Sequence, residues 1–308
     1  MQPSASVRTS FLAGIPPFVY GTTRLGDEKI PFDERVRVAR AAMEAGIWLH
    51  TSHTYGNALT VLREAFDRDP SRRPKLIVKI GWNSAEELRD VLRQNLEQLG
   101  LEGLELGQLC LGGQLADEFT TGGNCYETFS RLKKEGKVRG FVLEVFPWTS
   151  GTALRALRAG YTEGIIDGYV FYLNPLQRFA SNELWDLLLE RNEPIVALRT
   201  VCGAPVHQLR DVPGAAWKEY LQRRATEVAP IFEKSGVKSW TDFCVRFAFS
   251  FPQVRATVGS TSRVDNLHEF LTASRHIGPL PADVLAELGR LQRRWSDEVD
   301  VHAEPWSM

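Results

Sequence analysis

The 308-residue sequence predicts a closed (β/α)8 barrel. Three observations carry that expectation. Short apolar runs alternate with longer amphipathic ones about eight times along the chain. The short runs are apolar at nearly every position rather than every second one, as parallel strands covered on both faces require. No linker, low-complexity run or shift in composition interrupts the pattern, so residues 1–308 read as a single domain. A doubly wound open sheet is the competing topology.

The elements follow in order. PFVYG (17–21) reads as the first strand, and FDERVRVARAAMEAG as a helix with Val36, Ala39, Ala42 and Met43 on one face and Gly46 ending it. IWLHT (47–51) is a strand, ALTVLREAF (58–66) a helix and KLIVKIG (75–81) a strand. Ser84, with Glu87 three residues on, forms a capping box for the helix that runs to Leu99. LELGQLCLGG (104–113) is the next apolar run, followed by a helix over 122–136, a strand VRGFVLEVF (138–146) and a helix over 150–160. IIDGYVFYL (165–173) is a strand, 181–192 a helix and PIVALRT (194–200) a strand. Helices over 217–236 and 239–250, the strand QVRATVG (253–259) and a helix over 262–275 complete the series. GGQLADEFTTGGN (112–124), VCGAPVHQLRDVPG (201–214) and the tail from Asp297 read as loops forming a lid.

Composition excludes several classes of function. With 37 basic and 38 acidic residues the net charge is -1, so no global field draws the chain to nucleic acid or an anionic membrane. Cys110, Cys125, Cys202 and Cys244 lack the spacing of a disulfide framework or zinc site, which points to a reduced cytoplasm. No run reaches the roughly 20 apolar residues of a membrane span, and the first residues do not resemble a secretory signal. The expected partner is a small molecule.

In a barrel of this kind the chemistry lies at the carboxyl ends of the strands. Tyr55 and Lys79 fall there, and an ammonium beside a phenol lowers the phenol's pKa toward a useful range. A tyrosine in a turn and a lysine reaching for solvent fit the same spacing. His50 and His53 offer imidazoles, but no third ligand is placed, so no metal is expected. Cys110 is either a nucleophile or a small core residue. Glu144, inside FVLEVF, is too costly to bury without a partner, and an ion pair with a neighbouring cation is the expected solution. Gly259, Ser260, Thr261 and Ser262, with Arg263 just inside the following helix, suit an anion; an ordinary Ser/Thr cap fits equally well. Trp82, Phe146, Trp148 and His53 stand where they can wall a substrate pocket. No GxGxxG or Walker loop occurs, so a nucleotide would have to be held by the barrel itself.

Taken in order, GTTRLG (21–26), GI…TYG (46–56), LIVKIG (76–81), LEGLELGQL (101–109), EGKVRGF (135–141), YLNPLQR (172–178) and VGSTS (258–262) resemble the aldo-keto reductases. The resemblance covers the whole chain and implies an aldo-keto reductase-type barrel that binds NADP(H) and reduces a carbonyl. Of that family's Asp, Tyr, Lys and His tetrad, Tyr55 matches the proton donor and Lys79 its tuner. The Asp position holds His50 and the His position Cys110, a change that in the family can redirect reduction to a conjugated C=C bond. The Ser–Asn pair that holds the nicotinamide carboxamide falls on Glu144 and Val145, a Gln on Val170, and the stacking aromatic on Leu198. Thr22, Asn174 and the Gly259–Ser262 loop match cofactor-binding positions, and Arg263 suits the extra phosphate of NADP(H).

The resemblance thus implies an NADP(H)-dependent oxidoreductase with a rebuilt site. Glu144 replaces the lost counter-ion of Lys79, and Lys79 should give up its proton more easily beside a neutral His50. A non-redox lyase, dehydratase, isomerase or cyclase on the same barrel is the alternative, and a non-catalytic relative a third reading.

Overall fold

The computed structural model describes residues 11–81, 83–202, 219–275 and 278–299. Its strands are β1 (Phe18–Gly21), β2 (Leu49–Thr51), β3 (Leu76–Ile80), β4 (Leu104–Leu109), β5 (Val138–Glu144), β6 (Ile166–Asn174), β7 (Gln177–Arg178), β8 (Ile195–Leu198) and β9 (Val254–Ser260). β7 is a two-residue antiparallel return onto β6. The others are parallel and run in the order β1-β2-β3-β4-β5-β6-β8-β9. β9 then pairs with β1, Phe18 to Gly21 against Thr257 to Ser260, and closes the barrel. That pairing excludes the open doubly wound sheet. It also brings all eight parallel carboxyl ends to one mouth.

The helices are α1 (Phe32–Glu44), α2 (Ala58–Arg68), α3 (Ala85–Leu99), α4 (Gly113–Thr121), α5 (Cys125–Lys134), α6 (Ser150–Arg158), α7 (Asn182–Glu190), α8 (Glu219–Lys234), α9 (Trp240–Phe249), α10 (Val264–Ala273) and α11 (Ala282–Val299). In α1 the buried apolar stripe is Val36, Ala39, Ala42 and Met43. Asp33 and Glu34 in its first turn complement the positive end of the helix dipole. Among the described residues no helix is long and apolar enough to cross a membrane.

Several expectations are corrected. The lid segment 112–124 is largely the helix α4, because Leu115 and Phe119, four residues apart, are both buried. The Phe119 ring stacks on Tyr126 at 5.3 Å and meets Phe129 edge-on at 6.4 Å. Helix α11 was not anticipated at all. At α3, Ser84 Oγ accepts the Glu87 N–H, but the Glu87 carboxylate accepts from Asn83 N–H rather than from Ser84, so the box is one residue wider. The segment 203–218, most of the second lid, and residues from 300 onward lie outside the described residues, as does Trp82.

A docked helix and a mobile lid respond differently to truncation. Phe119→Ala is expected to cost about 3–5 kcal/mol, read as a lowered midpoint in urea unfolding. A loss below about 1 kcal/mol would mean that the segment does not pack as described.

Candidate active site

Strand register decides which side chains enter the barrel. His50 pairs with Ile77, two residues before Lys79, and Lys79 pairs with Gln108. Gln108 pairs with Val142, two residues before Glu144. Directly paired residues, and residues two apart, share a face. His50, Lys79, Gln108 and Glu144 therefore point into the same interior. The same rule carries on through Glu144–Val170 and Tyr172–Leu198 to Ser260–Gly21, around the whole mouth.

At the centre is an ion pair. Lys79 Nζ lies 2.9 Å from Glu144 Oε1, and each side chain is 1% exposed. Cys110 Sγ donates to the other carboxylate oxygen at 2.7 Å. Burial pushes the Glu144 carboxyl up, but Lys79 and the bonds from Cys110 and Gln108 overcome it and hold Glu144 below the usual carboxylate range. Burial alone would strip Lys79 of its proton; Glu144 reverses this and holds Lys79 well above its ordinary value. Lys79 therefore does not shed its proton readily, contrary to expectation, because Glu144 at the end of β5 is its counter-ion. Burial, and after it Glu144, raises Cys110 far up, so it is a neutral thiol and not a nucleophile.

His50 is neutral too. Burial and the nearby Lys79 charge bring it down to about 4 against weaker pulls from Glu144 and Gln108. Its Nε2 lies 2.8 Å from Gln108 Oε1 and donates to it, the only arrangement open to a neutral ring facing a carbonyl oxygen. That leaves the Gln108 amide nitrogen for the side of Glu144.

Tyr55 sits above this group. Its ring lies 5.8 Å from Lys79 Nζ and 6.2 Å from the His50 ring. Backbone crowding fixes it: a Cβ on Gly26 would come within 1.9 Å of the Tyr55 carbonyl oxygen, and Gly56 (φ +53°) meets the Gly26 carbonyl in return. The phenol is not acidified as expected. Burial raises it to about 12, Lys79 pulls it down, Glu144 and Tyr172 push it up, and a hydrogen bond with Thr23 lowers it slightly. Because Glu144 has neutralised the ammonium, burial wins.

Tyr55, Lys79 and His50 open into a cavity of about 850 Å³ that also touches Gly21, Tyr172, Leu198, Arg199, Gly259 and Ser260. Cys110 and Glu144 lie beneath it. His53, Phe146 and Trp148 do not line it; Phe146 and Trp148 stack on each other 4.8 Å apart, with Trp148 facing solvent. The phosphate-loop residues divide. Gly259 and Ser260 edge this cavity, while Ser262 and Arg263 line a second one of about 580 Å³ with Arg37 and Arg40. Thr261 is buried between them, its carbonyl accepting from Tyr20 Oη at 2.6 Å. Arg263 is the residue before α10 rather than within it, and no side chain caps that helix. Thr22 and Asn174 are fully buried and engaged elsewhere, Thr22 with Thr51 and Asn174 with the Leu176 N–H and the Arg199 carbonyl. Arg199 was not foreseen; its only signal in the sequence is a cation closing an apolar strand. Among the described residues no three His, Cys, Asp or Glu side chains gather in a metal-binding group.

Two outcomes follow from these charges. An unfolded histidine titrates near ~6.5, so between about pH 6.5 and pH 4 the unfolded chain takes a proton that His50 refuses. The contribution is complete above that window and is lost as pH falls through it, on the order of 3 kcal/mol in all. Urea unfolding at pH 7 and pH 4.5 should show a smaller pH dependence in His50→Gln than in wild type. Glu144→Gln removes the negative charge that balances the buried Lys79 and should cost about 3–5 kcal/mol, whereas Lys79→Met with Glu144→Leu should recover most of it. Equal losses in both would mean that the pair does not bear this charge balance.

The Aldo/keto reductase family model matches residues 17–293. Among solved structures, the holo form of aldo-keto reductase AKR11C1 from Bacillus halodurans superposes with a TM-score of 0.69 at 18% identity, covering 90% of this chain and 92% of that one. Its apo form gives 0.64 at 19% identity over 91% and 90%. At such identities the likeness speaks for the fold alone. No curated protein matches the chain. On the family match, which spans the barrel from before β1 into α11, the chain belongs to the aldo/keto reductase family.

Proposed function

We propose that this protein is an NADP(H)-dependent reductase whose proton-transfer site has been rebuilt around Glu144, acting on a carbonyl or a conjugated C=C of a small organic molecule. One observation carries the reading: the Tyr55 phenol and the Lys79 ammonium face a cavity that Gly259 and Ser260 also line. The phosphate end suits a dinucleotide. Ser262 and Arg263 stand at a helix N-terminus that no side chain caps, which supports bound phosphate through backbone N–H donors and the helix dipole; the charges nearby balance, Arg37, Arg40 and Arg263 against Glu34, Glu44 and Asp265. The nicotinamide end is poorer, since Glu144 is turned to Lys79 and Val145 is buried.

The bound cofactor would supply the hydride. The protein's part is the proton. A phenol held at about 12 is fully protonated at neutral pH, so Tyr55 is loaded as an acid. The alkoxide that forms on a reduced carbonyl is a far stronger base, and proton transfer to it runs downhill. Lys79 eases the passing negative charge without giving up a proton. His50, neutral and with Nε2–H committed to Gln108, has only Nδ1 left, an acceptor.

The poorer nicotinamide end also supports a second reading, in which the same acid works on a non-redox substrate such as that of a lyase or dehydratase. Titration with NADPH and NADH, followed by tryptophan fluorescence and calorimetry, separates the two. The reductase reading expects NADPH to bind at least tenfold more tightly than NADH, and Tyr55→Phe to lower NADPH-dependent turnover by 100-fold or more with binding retained. Folded protein that binds neither nucleotide would overturn it in favour of the second.

A further inference from the structure

The strand rule that brings His50, Lys79 and Glu144 inward fails at one place on the cavity wall. Leu198 ends β8 facing the cavity. In extended backbone the next residue, Arg199, would face the opposite way. Instead Arg199 adopts φ +49°, a left-handed conformation unfavourable for any residue with a Cβ, and its side chain also lines the cavity. The fold maintains this turn from outside. Asn174 Nδ2 donates to the Arg199 carbonyl at 3.1 Å, and Asn174 is itself fixed by the Leu176 N–H at 2.9 Å and by Gln292, which donates to its carbonyl at 2.7 Å.

The guanidinium is positioned as firmly as the backbone. Its carbon lies 5.0 Å from the Tyr172 ring centroid. Tyr172 stacks in turn on Phe179 at 4.3 Å and 20°, so the platform beneath the cation is rigid. Tyr172 lines the same cavity as Tyr55 and lies near enough to influence its ionisation. Glycine would adopt this backbone at no steric cost, so the strain is borne for what the side chain does.

We propose that Arg199 binds a carboxylate of the substrate, with the reacting carbon held between it and Tyr55. A guanidinium over an aromatic ring still has its N–H donors to offer at its edge, and five donors in a planar fork match two carboxylate oxygens while leaving others for the protein. The substrate class is thus a carbonyl or enone compound bearing a carboxylate. This rests on the cavity being the substrate site and not on the reaction being redox.

The test uses 4-formylbenzoate and its methyl ester as probes, with affinities measured by calorimetry on the full-length protein without nucleotide. Wild type should bind the acid at least tenfold more tightly than the ester. Arg199→Gly should abolish that preference while melting at or above the wild-type temperature, since glycine relieves the left-handed strain. Arg199→Lys should retain part of the preference, a point charge replacing the fork. A wild type indifferent to the carboxylate, or an Arg199→Gly protein that keeps the preference, would overturn the proposal. So would an Arg199→Gly protein that keeps the preference and loses only NADPH binding, because the cation would then serve the nucleotide's phosphates. A protein that binds no NADPH yet shows the acid preference would sink the reductase reading and leave this one standing.

Discussion

The site depends on one constraint: an ammonium at the centre of a closed barrel must have an anion beside it. Lys79 and Glu144 are both essentially inaccessible to water. Alone, either would pay several kcal/mol for desolvation; together, the cost is met only if the remaining lone pairs and protons also find partners. Here they do. Cys110 takes the second oxygen of Glu144, and Gln108 stands between that carboxylate and His50. The group is neutral as a whole and fully internal, which explains how a carboxylate can end an apolar strand.

From this arrangement the behaviour of the neighbouring groups follows. An acidic residue at position 50 would compete with Glu144 for the same lysine; a neutral imidazole does not, and the strongly depressed basicity of His50 keeps it so. A histidine at position 110 would need room and a partner of its own. The smaller Cys110 fits under the cavity and spends its proton on Glu144. His50, Cys110 and Glu144 therefore form one coherent arrangement: the anion stands on β5, and the groups at positions 50 and 110 are neutral. Tyr55 registers the result. Its ammonium neighbour is already compensated, so the phenol keeps its proton more firmly than an unbalanced lysine would allow.

The scaffold supplies precision around that centre by backbone contact more than by side chains. Tyr55 is set by the approach of Gly26 to Gly56, and Arg199 by a left-handed turn tied to Asn174. Thr22 and Asn174, which stand at cofactor-binding positions by resemblance, serve this framework in the described structure. The two cavities lie on either side of the buried Thr261 after β9, one edged by Ser260 and the other by Ser262.

Much of the architecture was legible in the chain. Apolar runs of strand length, separated by amphipathic helices, leave few choices once both faces of the sheet must be covered, and the strand ends locate the mouth. Tyr55, Lys79 and Glu144 were legible as residue types out of place in those runs, since a charge in an apolar strand demands a partner. What the sequence could not give was the partner's geometry. Helix α4 was read as a loop because its Gly, Thr and Asp content signals turns, while the pull of Leu115 and Phe119 on the core depends on neighbours far along the chain. The pKa directions were misread for the same reason: the proximity of Lys79 to Tyr55 and a counter-ion role for Glu144 were foreseeable, but how far that compensation and the loss of water outweigh the ammonium is a sum over three dimensions. Arg199 was invisible because a strand pattern implies alternation, and only the folded backbone records where alternation breaks. The sequence by itself determined the barrel and the identities of the groups at its mouth, because periodicity and burial act locally. Tertiary structure alone decided how closely those charges meet and which way each ionisation shifts, since electrostatic balance in a dry interior depends on distances between strands that the chain order does not contain.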